Sequence, residues 1–151
     1  MRAVLYGALA VVALVVLGMR EPPRPAATME GETSQGYAVE VELDDDGAVQ
    51  ALSTRFRVRC SGGETDVAKW TASRGTFGRF EQDGDHVLIA EEREEDVDGW
   101  HMEGELRAEA DRAADGSLAG VAHATFRWTR EGGEDGASCA AEGVRWRAAP
   151  R

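Results

Sequence analysis

From Tyr37 onward the chain alternates apolar and polar residues with period two, and Asp-Gly pairs break the alternation at intervals. A side chain on a strand points to the opposite face from its neighbour, so this pattern specifies half-buried strands and leaves no room for amphipathic helices. Tyr37, Val39, Val41 and Leu43 alternate with Ala38, Glu40 and Glu42. Beyond Asp46-Gly47, Leu52, Thr54, Phe56, Val58 and Cys60 alternate with Ser53, Arg55, Arg57 and Arg59. Read as a two-residue hairpin turn, Asp46-Gly47 sets Val39 opposite Thr54, Val41 opposite Leu52 and Tyr37 opposite Phe56, with both apolar sets on one face.

The same punctuation recurs downstream. Asp83-Gly84 separates Thr76–Gln82 from His86–Arg93. Asp98-Gly99 precedes the alternation of Trp100, Met102, Gly104, Leu106 and Ala108 with His101, Glu103, Glu105 and Arg107. Asp115-Gly116 precedes Leu118–Arg130, and Glu131–Gly136 leads into Ala137–Ala148. With a short strand over Val67–Ser73, the pattern predicts about eight antiparallel strands in an all-β, barrel-like meander, with a β-sandwich as the alternative. An immunoglobulin arrangement does not fit, because Ala137 stands where that fold places a tyrosine, two residues before the second cysteine. No proline occurs between Pro25 and Pro150, so every strand interior can donate its hydrogen bonds.

Ahead of this body, Ala3 to Met19 is free of charge and bracketed by Arg2 and Arg20. As a helix it spans about 25 Å, short for a bilayer crossing and long for a signal-peptide apolar region. Residues 1–20 are therefore read as a signal anchor or a signal peptide, preceding the body as an N-terminal apolar helix. Residues 21–36, with Pro22, Pro23 and Pro25, are read as a linker, and 37–149 as one β-domain. Arg2, Arg20 and Arg24 flank the leader on both sides, so its charge does not fix orientation; the cysteine pair is what argues for a body on the far side of a cell membrane, or in the medium if the leader is cleaved. Cys60 and Cys139, the only cysteines, are then expected to form a disulfide in an oxidising compartment.

Charge narrows the partners. The chain carries a net charge of −11, and every acidic residue lies after Arg20. Nucleic acid is a poor partner for such a surface. The acid run Glu91–Asp98 reads as a solvated strand end and loop, with docking of a cationic partner as its functional alternative. Arg55, Arg57 and Arg59 form a ladder on one strand face, with Arg145 and Arg147 repeating it on the last strand. Cross-strand pairing with carboxylates is the structural reading of these arginines, and an anionic polymer such as a cell-wall polysaccharide the functional one.

No catalytic constellation emerges. Ser34 lies outside any nucleophile-elbow spacing, and His86, His101 and His123 stand singly. His101 and Glu103 share a strand face but supply too few ligands for a metal. Asp44-Asp45-Asp46-Gly47 and Asp96-Val97-Asp98-Gly99 resemble fragments of a calcium loop, yet Ala48 and Trp100 occupy the position of the third ligand. Neither a metal nor a cofactor is expected. Trp70, Trp100, Trp128 and Trp146 suit core filling, with sugar stacking as the alternative.

Several short motifs carry a resemblance: Gly31-x-Thr33-Ser34-Gln35-Gly36, Cys60, Gly75-Thr76-Phe77 and Cys139-x-x-x-Gly143-x-x-Trp146. Over roughly residues 31 to 148 the body resembles an uncharacterised group of exported bacterial single-β-domain proteins. The resemblance implies export, a disulfide staple and an all-β fold, and it brings no activity. The expectation is a non-enzymatic binding or cell-envelope interaction module, held at the membrane by its N-terminal segment. One alternative is a carrier whose barrel cavity, lined by Trp100, Met102, Leu106 and Phe126, holds a small apolar ligand. Another is an enzyme of unknown reaction.

Overall fold

The structure is a computed structural model that describes residues 25–75, 78–130, 132–133 and 135–151, with only the backbone of residue 135. The leader at 1–20, the first part of the linker, and Thr76 and Phe77 lie outside the described residues. Nine strands run in chain order: β1 Ala27–Thr33, β2 Ala38–Leu43, β3 Val49–Cys60, β4 Thr65–Ser73, β5 Gly78–Asp83, β6 His86–Val97, β7 Trp100–Arg112, β8 Leu118–Arg130 and β9 Asp135–Pro150. They form one sheet in the order β4-β3-β2-β1-β9-β8-β7-β6-β5, and a further pairing of β3 with β9 closes β3, β2, β1 and β9 into a ring. The expected barrel-like all-β meander is the fold.

Alternation decides which side of each strand enters the core. Val39, Val41, Leu52, Phe56 and Val58 from β2 and β3 are buried, as are Val87, Ile89, Leu106 and Leu118 from β6 to β8. By area, each fully buried large apolar side chain contributes roughly 1.5–3 kcal/mol. The β2–β3 ladder sets Val39 opposite Thr54 and Val41 opposite Leu52, as the alternation predicts.

Three expectations need correction. Residues 27–33, read as part of the linker, form β1. Only Met29 and Thr33 are buried there, and Gly31 leaves the alternation too sparse to see. Gly31 is required by space, since a Cβ at that position would come within 1.8 Å of the Arg147 carbonyl oxygen. Tyr37 does not pair with Phe56: it precedes β2, and the ladder begins at Val39. The loop after β2 is longer than a two-residue turn. Asp44 Oδ1 accepts from the N–H groups of Asp46 and Ala48, and the Asp44 carbonyl accepts from Gly47 N–H. That Asx-type cap shifts the register between Glu42 and Leu43. Asp98-Gly99, by contrast, is a two-residue loop between Val97 and Trp100, with φ of 50° and 79° at its two positions. Both angles are positive, as a type I′ turn requires.

The last strand organises the rest. Its C-terminal half pairs with β1, from Pro150 opposite Met29 to Trp146 opposite Thr33. Its N-terminal half pairs with β3, where Ala140 lies opposite Arg59 and Cys139 opposite Cys60. Cys60 and Cys139 are joined as a disulfide across a sequence separation of 79. Closing a loop of that length stabilises the fold by about 4.5 kcal/mol in the chain-entropy account.

Between the two halves the inward face changes parity, from Cys139 and Ala141 to Val144, Trp146 and Ala148. Gly143 makes the change possible. Its φ is 62°, and the β8–β9 register shifts beside it, between Ala122 and Ala124. This bulge lets residues an odd number apart point into one core.

Candidate functional site

Where β9 leaves β1 for β3 the sheet forks, and the β1–β2 turn fills the fork. Thr33 Oγ1 accepts from the N–H groups of Gln35 and Tyr37, which shapes the turn. Ser34 bonds the backbone of Arg145 through its N–H and its Oγ. Gln35 Nε2 donates to the Arg57 carbonyl at 3.1 Å, and Arg57 N–H donates to Gln35 Oε1 at 2.8 Å. One amide side chain thus satisfies the β3 backbone where no neighbouring strand reaches it. The Thr33-Ser34-Gln35-Gly36 motif has this structural role.

Beside the fork lies a cleft of about 1090 Å³, whose lining includes Gln35, Arg57 and Arg59, the disulfide, Glu94, Glu103 and Phe126. Its arginines come from β3, β6 (Arg93) and β8 (Arg127), and its glutamates from β6, β7 and β9 (Glu142). Arg93 and Arg127 are ion-paired, with Glu91 and Glu103, whereas among the described residues Arg57 and Arg59 make no ion pair.

The expected cross-strand pairing of the β3 arginines with carboxylates does not occur. Arg55 stands opposite Lys69, Arg57 opposite Val67 and Arg59 opposite Thr65 on β4. Arg57 is instead held by the Tyr37 ring, its guanidinium carbon 6.0 Å from the centroid. On the last strand, Arg145 stands opposite Val121, and only Arg147 differs. Arg147 lies opposite Glu32 and makes an ion pair with Asp115 at 3.7 Å.

Carboxylates show the same same-sign pattern on β6 and β7. Glu92 lies opposite Glu105, and Glu94 opposite Glu103. Only Glu103 of these four has a cationic partner among the described residues, Arg127 at 3.8 Å.

The acid run itself divides. Glu92 to Asp98 is solvated, apart from half-buried Arg93, but Glu91 turns into the core at 3% exposure. Arg93 Nη2 lies 2.5 Å from Glu91 Oε1 and donates to the Thr71 carbonyl at 2.9 Å. The same guanidinium sits 5.0 Å from the centroid of the Trp70 ring. Trp70 packs on Phe126 with centroids 5.2 Å apart, and it covers Gly104, where even a Cβ would come within 3.0 Å of the indole. This knot ties β4 to β6, β7 and β8 across the interior. Its signal in the sequence is Glu91 itself, which occupies an inward position in the β6 alternation.

Of the four residues proposed to line a ligand cavity, Met102, Leu106 and Phe126 share the inward face of β7 and β8, and Trp100 lies apart from them. Leu106 and Met102 are buried, and Phe126 borders the cleft. Trp100 is 37% exposed at the β6–β7 hairpin tip, with Arg130 stacked on it at 5.8 Å. Trp70 and Trp146 fill the core.

The histidines are separate. His86 bonds Asp111 at 2.9 Å, His123 Nδ1 accepts from Gly143 N–H, and His101 bonds Asp96 at 2.8 Å. No group of three or more His, Cys, Asp or Glu side chains is placed to hold a metal ion among the described residues. Comparison of the chain with protein-family models, with curated proteins and with solved structures finds no match.

Two predictions follow from the interior knot and the hairpin tip. Replacing Arg93 by Met leaves the Glu91 carboxylate buried without its cation and lowers the unfolding free energy by about 3–5 kcal/mol. Adding Glu91→Leu recovers most of that loss in denaturant melts. At the tip, the hydrogen bond that His101 Nδ1 donates to Asp96 Oδ1, together with the charges of nearby Asp96, Glu103 and Glu94, raises the His101 pKa above its ordinary 6.5. A raised pKa means the fold favours imidazolium. The resulting stabilisation is full below pH 6.5 and disappears as pH rises through the higher folded value. An NMR titration is expected to show this shift, and Asp96→Asn to bring the His101 midpoint back toward 6.5.

Proposed function

We propose that the protein is a non-enzymatic binding module that works through its surface charge. Its N-terminal apolar segment would hold it at the outer side of a membrane. The observation that carries this reading is the same-sign pairing on its exposed strands. Arg55 faces Lys69, Glu92 faces Glu105 and Glu94 faces Glu103, each directly across a ladder. Like charges in directly opposed positions destabilise a sheet. Glu30 opposite Glu40 on β1 and β2 is a fourth such pair; a chain shaped by folding alone has no use for them, and a single substitution would relieve each one. Patches that a fold tolerates at a cost are characteristic of surfaces kept for a ligand. The disulfide supports placement in an oxidising compartment. The Trp70–Arg93–Glu91 knot occupies interior space that a carrier would leave open to its ligand.

Stability measurements separate this reading from a structural one. With the charges kept for binding, Arg55→Gln and Glu105→Gln leave the unfolding free energy unchanged or raise it by about 0.2–1 kcal/mol. A loss above about 1 kcal/mol in either variant, measured by denaturant unfolding, would show that the charge serves the fold and would overturn the reading.

A further inference from the structure

We infer that the row Arg55, Arg57 and Arg59, with Lys69 beside it, binds an extended anionic polysaccharide through carboxylates that repeat along the sugar chain. The inference rests on the binding-module reading above and specifies its ligand. Alternate residues of a strand project from one face about 6.7 Å apart, so the three arginines leave β3 from one face at even spacing. A line of single charges suits a linear polymer in extended form, one acidic group per arginine. The guanidinium fork matches a planar carboxylate with two parallel hydrogen bonds, which a lysine cannot do.

Two further observations favour this site. Arg57, at the centre of the row, is fixed in advance of binding. Gln35 pins the Arg57 backbone from one side, the Tyr37 ring holds the Arg57 side chain, and Cys60 ties the end of β3 to β9. A rigid site loses less entropy when it captures a ligand. The row also retains its charge for a ligand, because none of its four cations is in an ion pair among the described residues.

The surroundings select a sugar chain over nucleic acid. Val67, opposite Arg57 and 48% exposed, gives the row an apolar flank against which a sugar ring can lie. Single-stranded nucleic acid relies on aromatic platforms for its bases, and the aromatic ring at this row, Tyr37, is already covered by Arg57.

The test uses the full-length protein, in detergent, and calorimetric titration with an oligogalacturonate. Its fully methyl-esterified form and an oligothymidylate of equal charge serve as comparison probes. The expected result is salt-sensitive binding of the oligogalacturonate, with the ester and the oligothymidylate each at least tenfold weaker. The triple variant Arg55→Gln, Arg57→Gln, Arg59→Gln should bind at least tenfold more weakly while melting as the wild type does, and Arg57→Lys should lose several-fold. Arg79→Gln, on the far edge strand, should bind as the wild type does. Absent binding by the wild type, undiminished binding by the triple variant, or equal affinity for the ester or the oligothymidylate would overturn the inference. If such a result came with undiminished stability of Arg55→Gln and Glu105→Gln, only the ligand assignment would fall. Destabilisation of those two variants would remove the binding-module reading itself.

Discussion

Strand β9 is hydrogen-bonded along both edges, and on one of them it changes partner partway along. Towards Pro150 it pairs with β1, and towards Cys139 it pairs with β3. Without that change, the meanders β1–β4 and β5–β9, joined by the β1–β9 pairing, would be an open sheet with β3 three positions from β9. The change of partner closes the ring and opens the fork that Gln35 fills. It also brings the end of β3 within reach of a disulfide to β9. The Gly143 bulge permits this, because Cys139 and Trp146 could not both face the core of a regular strand.

The charged surface follows from that closure. With β3 held against β9 at its end and against β4 along its length, its alternate arginines lie opposite lysine, valine and threonine of β4. The β6–β7 hairpin places glutamate opposite glutamate by the same strict alternation. In both places the register that buries the apolar face forces like charges together. A one-residue slip would relieve the charges and expose the core, so the core decides the register. Inside, Glu91 shows the opposite arrangement: a charge facing the core is matched at once by Arg93 and sealed by Trp70.

Much of this architecture was legible in the sequence because period two and Asp-Gly turns are local signals. The β2–β3 register, the Asp98-Gly99 hairpin and the Cys60–Cys139 pair could be read from neighbouring residues and from cysteine count. What could not be read depended on long-range geometry. β1 was hidden because Gly31 and four polar residues leave it only Met29 as a large apolar signal, and its place is set by β9 far along the chain. The parity change at Gly143 masks the pairing of β3 with β9. Trp100 alternates in step with Met102 and Leu106, yet it lies on a hairpin tip that extends past the core. The arginine ladder was visible, but its lack of carboxylate partners required knowing that Lys69, Val67 and Thr65 lie across from it.

The divided pairing of β9 is the claim on which the fork, the cleft and the presentation of the arginine row all stand. Backbone cross-strand NOEs in isotopically labelled oxidised protein test it directly. The structure predicts contacts between Arg59 and Ala140 together with contacts between Thr33 and Trp146 in the same spectra. Contacts from Arg59 to Thr65 alone, with none to β9, would contradict it.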